Sequence, residues 1–321
     1  MESLILLLLI DAKEGRDVAI ADVVGAYLLI DMHEYTLVKL IGNSTTIMCK
    51  VNNKYKNYVV IEKDKPVLYL RLKKALYGCI MSVLLWYQTF VGVLMDLGFT
   101  LNKYDTCVAN LEVQGSQCTV CWYVDNNKIS HKDPKVVDWV IRELEERFNK
   151  MTVTRGKEHS FIGMDIVFRD DGKFEITMKN YLRESIEAFD EEISKSAQTT
   201  AKGDLFDEDV AEDKEVLQES EAEMFHHIVA KLLYVAKRAR PDIDLAIPFL
   251  CTRVAEPTEG DKKKLKRLLE YVKETINMVR IIGANGNEVL QTWVDASYAV
   301  HRDMRSHTGA TMLLEHGTIH H

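Results

Sequence analysis

A chain of 321 residues, 47% of them hydrophobic and 28% charged, can bury one large core or two modest ones, which excludes a disordered polypeptide. The apolar run at residues 4 to 10 lacks a basic flank, is too short to span a bilayer and leads into Asp11, so it reads as a buried helix turn and no membrane partner is expected. The formal net charge of -8 is unevenly spread: residues 187 to 223 hold fourteen acidic side chains against three lysines, and the rest of the chain is slightly basic.

From the N-terminus, short apolar runs alternate with amphipathic helices, an α+β pattern. Residues 18 to 24 read as a strand carrying Asp22 near its end, and Gly25, Ala26 and Tyr27 follow as the chain bends. Helices are expected over 84 to 97 and 136 to 148, and a strand over 117 to 124. Cys118 and Cys121 make a C-x-x-C within that strand, where an odd separation sends the thiols to opposite faces and argues against a shared metal. Irregular spacing of the six cysteines suits reduced thiols in an intracellular protein. Asp125 and Asn126 are expected to form the turn into the next strand, since both residue types tolerate tight hairpin geometry. A carboxylate at a strand end is fixed by the sheet while its oxygens stay exposed, a common arrangement in metal sites.

The acidic segment 187 to 223 is poor in large apolar side chains and is expected to be a solvated linker or insertion. Residues 224 to 279 show helical periodicity, broken at Arg240-Pro241. After residues 283 to 286 (G-A-N-G) the pattern returns to strands, at 289 to 298 and 308 to 314. The basic clusters at 54 to 65, 71 to 74, 231 to 240 and 262 to 267 read as solvated faces when taken alone.

Taken in order, five segments resemble the reverse transcriptase of copia-type retrotransposon polyproteins. They are Asp22 to Leu28 for the family's D-V-x-x-A-[FY]-L, residues 74 to 78 for K-A-L-Y-G, Trp86-Tyr87 for W-Y, Tyr123 to Asn126 for Y-V-D-D, and residues 240 to 243 for R-P-D-I. The resemblance implies a right-hand polymerase palm, with a ferredoxin-like sheet and helices, over residues 1 to 186 together with part of the fingers. It further implies an acidic linker at 187 to 223, a helical thumb or connection at 224 to 283, and a partial RNase H-like sheet at 287 to 321.

By that resemblance, Asp22 and Asp125 hold two Mg²⁺ ions, and the partners are an RNA template, a DNA primer and deoxynucleoside triphosphates. Tyr27 falls where the family places an aromatic ring under the incoming sugar. Near the C-terminus, Trp293 to Tyr298 followed by residues 305 to 309 (R-S-H-T-G) resembles the first hairpin of the family's RNase H domain, with Asp295 as its first metal-binding carboxylate. The remaining RNase H acids are missing, so that activity is expected to be absent. Action inside the cell is implied, in a cytoplasmic virus-like particle or in the nucleus.

Three departures from the family pattern point to a degenerate enzyme. Asn126 stands where the family has the second Asp, which removes one unit of negative charge from the metal site. Met81 stands where the family has a Gln, so a hydrogen-bonding side chain near the nucleotide is lost. The basic fingers segment upstream of the first Asp motif is also expected to be lacking. The alternative is a non-catalytic nucleic-acid-binding or interaction remnant that keeps the scaffold.

Overall fold

The computed structural model describes residues 3–203, 205–206, 214–284, 289–299, 304, 306–314 and 317–321. In chain order it has α1 (Ser3–Glu14), β1 (Asp17–Asp22), α2 (Ala26–Leu29), β2 (Leu37–Ile41), α3 (Asn43–Val51), β3 (Val60–Glu62), β4 (Lys65–Arg71) and α4 (Ile80–Asp96). Then come β5 (Thr100–Leu101), β6 (Val108–Val113), β7 (Ser116–Tyr123), β8 (Asn126–His131), α5 (Pro134–Phe148), β9 (Thr152–Arg155), β10 (Glu158–Phe161), β11 (Met164–Phe168), β12 (Lys173–Thr177) and α6 (Lys179–Glu187). The last part holds α7 (Glu219–Ala236), α8 (Ala246–Arg253), α9 (Glu259–Glu274), β13 (Arg280–Gly283), β14 (Leu290–Ser297), β15 (His307–Leu314) and β16 (Gly317–His320). The chain is α+β, as its alternating periodicities imply. No described helix is long and apolar enough to cross a membrane.

The largest sheet has the order β5-β6-β7-β8-β1-β9, which puts β1 beside the second strand of the β7–β8 hairpin. Smaller sheets are β10-β11-β12-β13, β2-β4-β3 and β14-β15-β16. Two compact units result. One comprises Met1–Ile20, Ser130–Val137 and Thr154–His321, the other Ala21–Ile129 and Asp138–Val153. The compositional blocks do not bound these units, because strand pairing ignores sequence distance: β12 pairs with β13 through Phe174 opposite Ile282. Residues 280 to 283, expected within a helical block, are therefore a strand.

In the unit that contains α4, Trp86, Phe90, Trp122 and Phe148 pack with ring centroids 5.0 to 5.9 Å apart, and none is more than 4% exposed. In the other unit the N-terminal apolar run extends beyond the expected turn into the 12-residue α1, which buries Leu4, Ile5, Leu7, Leu8 and Leu9. The acidic segment is also more structured than its composition suggests. Phe189, Ile193, Ala197, Leu205 and Leu217 are each 6% exposed or less, and α7 begins within the segment at Glu219. Its acids have a structural use as well: Lys262 of α9 is buried and donates to Asp190 Oδ2 at 2.8 Å and Glu221 Oε1 at 2.7 Å. Sparse apolar anchors and one buried cation thus hold down part of a segment read as solvated. The seven residues 207 to 213 of that segment lie outside the described residues.

The R-P-D-I segment closes the helical part of the same unit. Arg240, 2% exposed, donates from Nε to Asp242 Oδ1 at 2.9 Å and from Nη2 to Asp242 Oδ2 at 2.7 Å. The same guanidinium reaches Thr275 O at 3.1 Å and Thr275 Oγ1 at 2.6 Å, and Tyr271 completes the group by donating to Asp242 Oδ2 at 2.9 Å. α7 has already ended at Ala236, and the proline after Arg240 opens a short 3-10 turn, Pro241–Ile243, where its missing N–H costs nothing. Burial alone would push the Asp242 carboxyl up, but hydrogen bonding and charge from Arg240 outweigh it and hold it below the ordinary value.

A depressed folded-state value means that the pair's stabilisation is complete above about pH 4, the ordinary Asp value, and is lost as pH falls through the lower folded value. Urea unfolding should accordingly show Asp242→Asn less stable than the wild type by roughly 2 kcal/mol at neutral pH, with the gap closing as the solution is acidified. A gap that is constant from neutral to acid would contradict this account.

Candidate active site

The residues of β1 from Val18 to Ala21 are buried, and the strand ends at Asp22, which is half-buried. Across the sheet, β7 and β8 are joined by a two-residue turn. That turn is Val124-Asp125, a one-residue correction to the expected Asp125-Asn126, because Asn126 already pairs as the first residue of β8. Strand order sets the tip of this hairpin beside the end of β1, and Val23 N donates to Asp125 O at 3.1 Å. Asp22 and Asp125 are thereby brought together from positions far apart in sequence. Burial, and after it the charge of Asp125, hold the Asp22 carboxyl above its ordinary value.

Three side chains fix the tip. Asn127, fully buried, donates from Nδ2 to Asp125 O at 2.8 Å and to Ala21 O at 3.2 Å, so one amide ties the backbone next to each carboxylate. Its Oδ1 is buried without a hydrogen-bond partner among the described residues. Trp86 donates from Nε1 to Val124 O at 2.6 Å. Tyr77 donates its hydroxyl to Asp125 Oδ2 at 2.8 Å. Burial, then the bond to Asp125 and its charge, push the Tyr77 hydroxyl up to about 12, so it remains a donor at any physiological pH.

The sequence marks the carboxylates but not these holders. Tyr77 lies in the K-A-L-Y-G segment without a role evident from its type, and Trp86 lies in the W-Y pair in the same way. The loop before Tyr77 is pinned by Ala75 N to Ile30 O at 2.9 Å and Leu76 N to Ser82 Oγ at 2.9 Å, and Gly78 follows at φ 88, a conformation that glycine takes without strain. Tyr27 is 4% exposed, with its ring centroid 4.4 Å from that of Tyr77. Met81 sits half-buried in the first turn of α4. In the other unit, Asp295 lies on the exposed strand β14 and accepts from Ala296 N at 2.9 Å, while Arg305 of the R-S-H-T-G segment lies outside the described residues.

A family model described as reverse transcriptase (RNA-dependent DNA polymerase) matches residues 1–201. The chain belongs to the reverse transcriptase family. The chain is 22% identical over 256 residues to the transposon Ty5-1 protein of Saccharomyces cerevisiae, covering 79% of this chain and 80% of that protein. It is 26% identical over 243 residues to the retrovirus-related Pol polyprotein from transposon RE1 of Arabidopsis thaliana, a match that takes in 76% of this chain and 16% of the polyprotein. Among solved structures, the foamy viral protease-reverse transcriptase in complex with double-stranded DNA is similar over 95% of this chain and 42% of its own, at 11% identity and a TM-score of 0.48. The resemblance to a retrotransposon polyprotein's reverse transcriptase, read from the motifs, is borne out.

Oxygen donors suit a hard divalent cation, and Asp22 with Asp125 supplies two carboxylates at the tip. Among the described residues no group of three or more His, Cys, Asp or Glu side chains could hold a metal ion, and Asn126, next to Asp125, is neutral.

Val124 adopts φ 58, a left-handed conformation costly for a β-branched side chain, and it does so beside Asp125. Val124→Gly should relieve that strain and raise stability by about 1 kcal/mol in urea unfolding, with glycine's unfolded-state entropy offsetting part of the gain. A loss of stability would mean that the Val124 side chain contributes more through packing than its backbone costs.

Proposed function

We propose that the chain carries an RNA-directed DNA polymerase site of a copia-type retrotransposon polyprotein, acting on a DNA primer, an RNA template and deoxynucleoside triphosphates. The observation that carries this reading is the pairing of Asp22 and Asp125 at adjacent strand ends within the residues that match the reverse transcriptase family. These two carboxylates would hold Mg²⁺, which when bound lowers the pKa of the primer 3′-hydroxyl and neutralises the leaving pyrophosphate. Asn127 and Trp86 keep the turn against β1, so that the carboxylates need little rearrangement to bind. Asn126 offers an amide oxygen where the family has a charge, and synthesis is accordingly weak.

A second reading, a non-catalytic nucleic-acid-binding remnant, is favoured by that same Asn126 and by the lack of a three-acid group among the described residues. Mg²⁺-dependent primer extension on an RNA template separates the two. Asn126→Asp should extend faster than the wild type by about a hundredfold, the worth of a few kcal/mol in the transition state, and adding Asp125→Asn should abolish synthesis. If neither protein extends, yet both bind an RNA/DNA hybrid with an affinity that falls steeply with salt, the second reading holds instead.

A further inference from the structure

Tyr77 is placed by its backbone and not by its contact with the carboxylate. Ala75 and Leu76 are pinned to Ile30 O and Ser82 Oγ at 2.9 Å each, and on the far side Cys79 N donates to Leu76 O at 3.2 Å. The ring then rests on Tyr27, with centroids 4.4 Å apart and planes inclined at 53°. Tyr27 is 4% exposed and Tyr77 50% exposed, so a buried ring supports an exposed one whose hydroxyl reaches the rim of the site. There it meets Asp125 Oδ2 at 2.8 Å.

An aspartate carboxylate turns easily about its last torsion, whose energy profile is broad. At the tip of a hairpin, next to a second carboxylate, it forms no salt bridge among the described residues that would stop that rotation; the contact holding its oxygen is the Tyr77 hydroxyl. A phenol donor occupies one lone pair of Oδ2 and leaves Oδ1 and the other lone pair as possible ligands. We propose that Tyr77 is a positioning residue for divalent-cation binding, holding the Asp125 carboxylate in the one orientation that it shares with Asp22 around a metal ion. This inference rests on the reading of Asp22 and Asp125 as metal ligands. It differs from a packing role because the ring alone covers Tyr27, whereas the hydroxyl alone touches the carboxylate.

Tyr77→Phe separates the two contributions, since it keeps the ring and deletes the donor. The probe is Mn²⁺, titrated into the full chain with free ion followed by electron paramagnetic resonance, alongside thermal melting of each variant. Outer partners of metal ligands are typically worth about 10- to 100-fold in affinity, so Tyr77→Phe should weaken Mn²⁺ binding by at least tenfold with the melting temperature nearly unchanged. Tyr77→Ala should weaken binding at least as much and also lower the melting temperature, because it uncovers Tyr27. Mn²⁺ binding in Tyr77→Phe as tight as in the wild type overturns the positioning role while leaving the metal site intact. Wild-type binding that is absent, or that survives Asp125→Asn unchanged, overturns the metal-site reading and this inference with it.

Discussion

Two carboxylates of like charge held at adjacent strand ends repel one another, and much of the architecture around β1 and the β7–β8 hairpin answers that repulsion. Strand order brings Asp22 and Asp125 together, and burial first, then the charge of Asp125, holds the Asp22 carboxyl above its ordinary value. Nothing in the strands themselves would keep a short turn from swinging the second carboxylate away. The Asn127 amide, the Trp86 indole and the Tyr77 hydroxyl each bind a different atom of the turn or its neighbour, and together they remove that freedom. Unfavourable local choices persist because the surroundings over-determine them: Val124 in a left-handed conformation and a buried Asn127 oxygen without a partner among the described residues.

The other unit uses buried charge for a different end. Arg240 and Asp242 form a closed hydrogen-bonded group with Thr275 and Tyr271, and Lys262 is enclosed by Asp190 and Glu221. Burial would push the Lys262 ammonium down, but its two carboxylate partners outweigh that and hold it above its ordinary value. Such pairs add little net stability over apolar replacements of the same shape, but breaking one leaves a buried charge without its partner, which costs far more. Part of the acidic stretch is thereby a structural strap on α9, a use that its composition conceals.

What the sequence by itself determined is the set of local preferences. Apolar runs marked the strands β1, β7, β8, β14 and β15, and three- and four-residue periodicity marked α4, α5 and α7, the last of which ends at Ala236, four residues before Arg240-Pro241. Motif order singled out Asp22, Asp125 and the family, because those residue types are tied to chemistry and their spacing is highly specific. Only the tertiary structure decided which residues hold the carboxylates, that the turn begins at Val124, that residues 280 to 283 pair with β12, and that Phe189 and Ile193 are buried. The physical reason is one of range. Periodicity and turn chemistry act over a few residues, whereas the bonds from Tyr77 and Asn127 and the pairing of β13 depend on segments that are neighbours in space and distant in the chain, where one residue's type says nothing about the other's position.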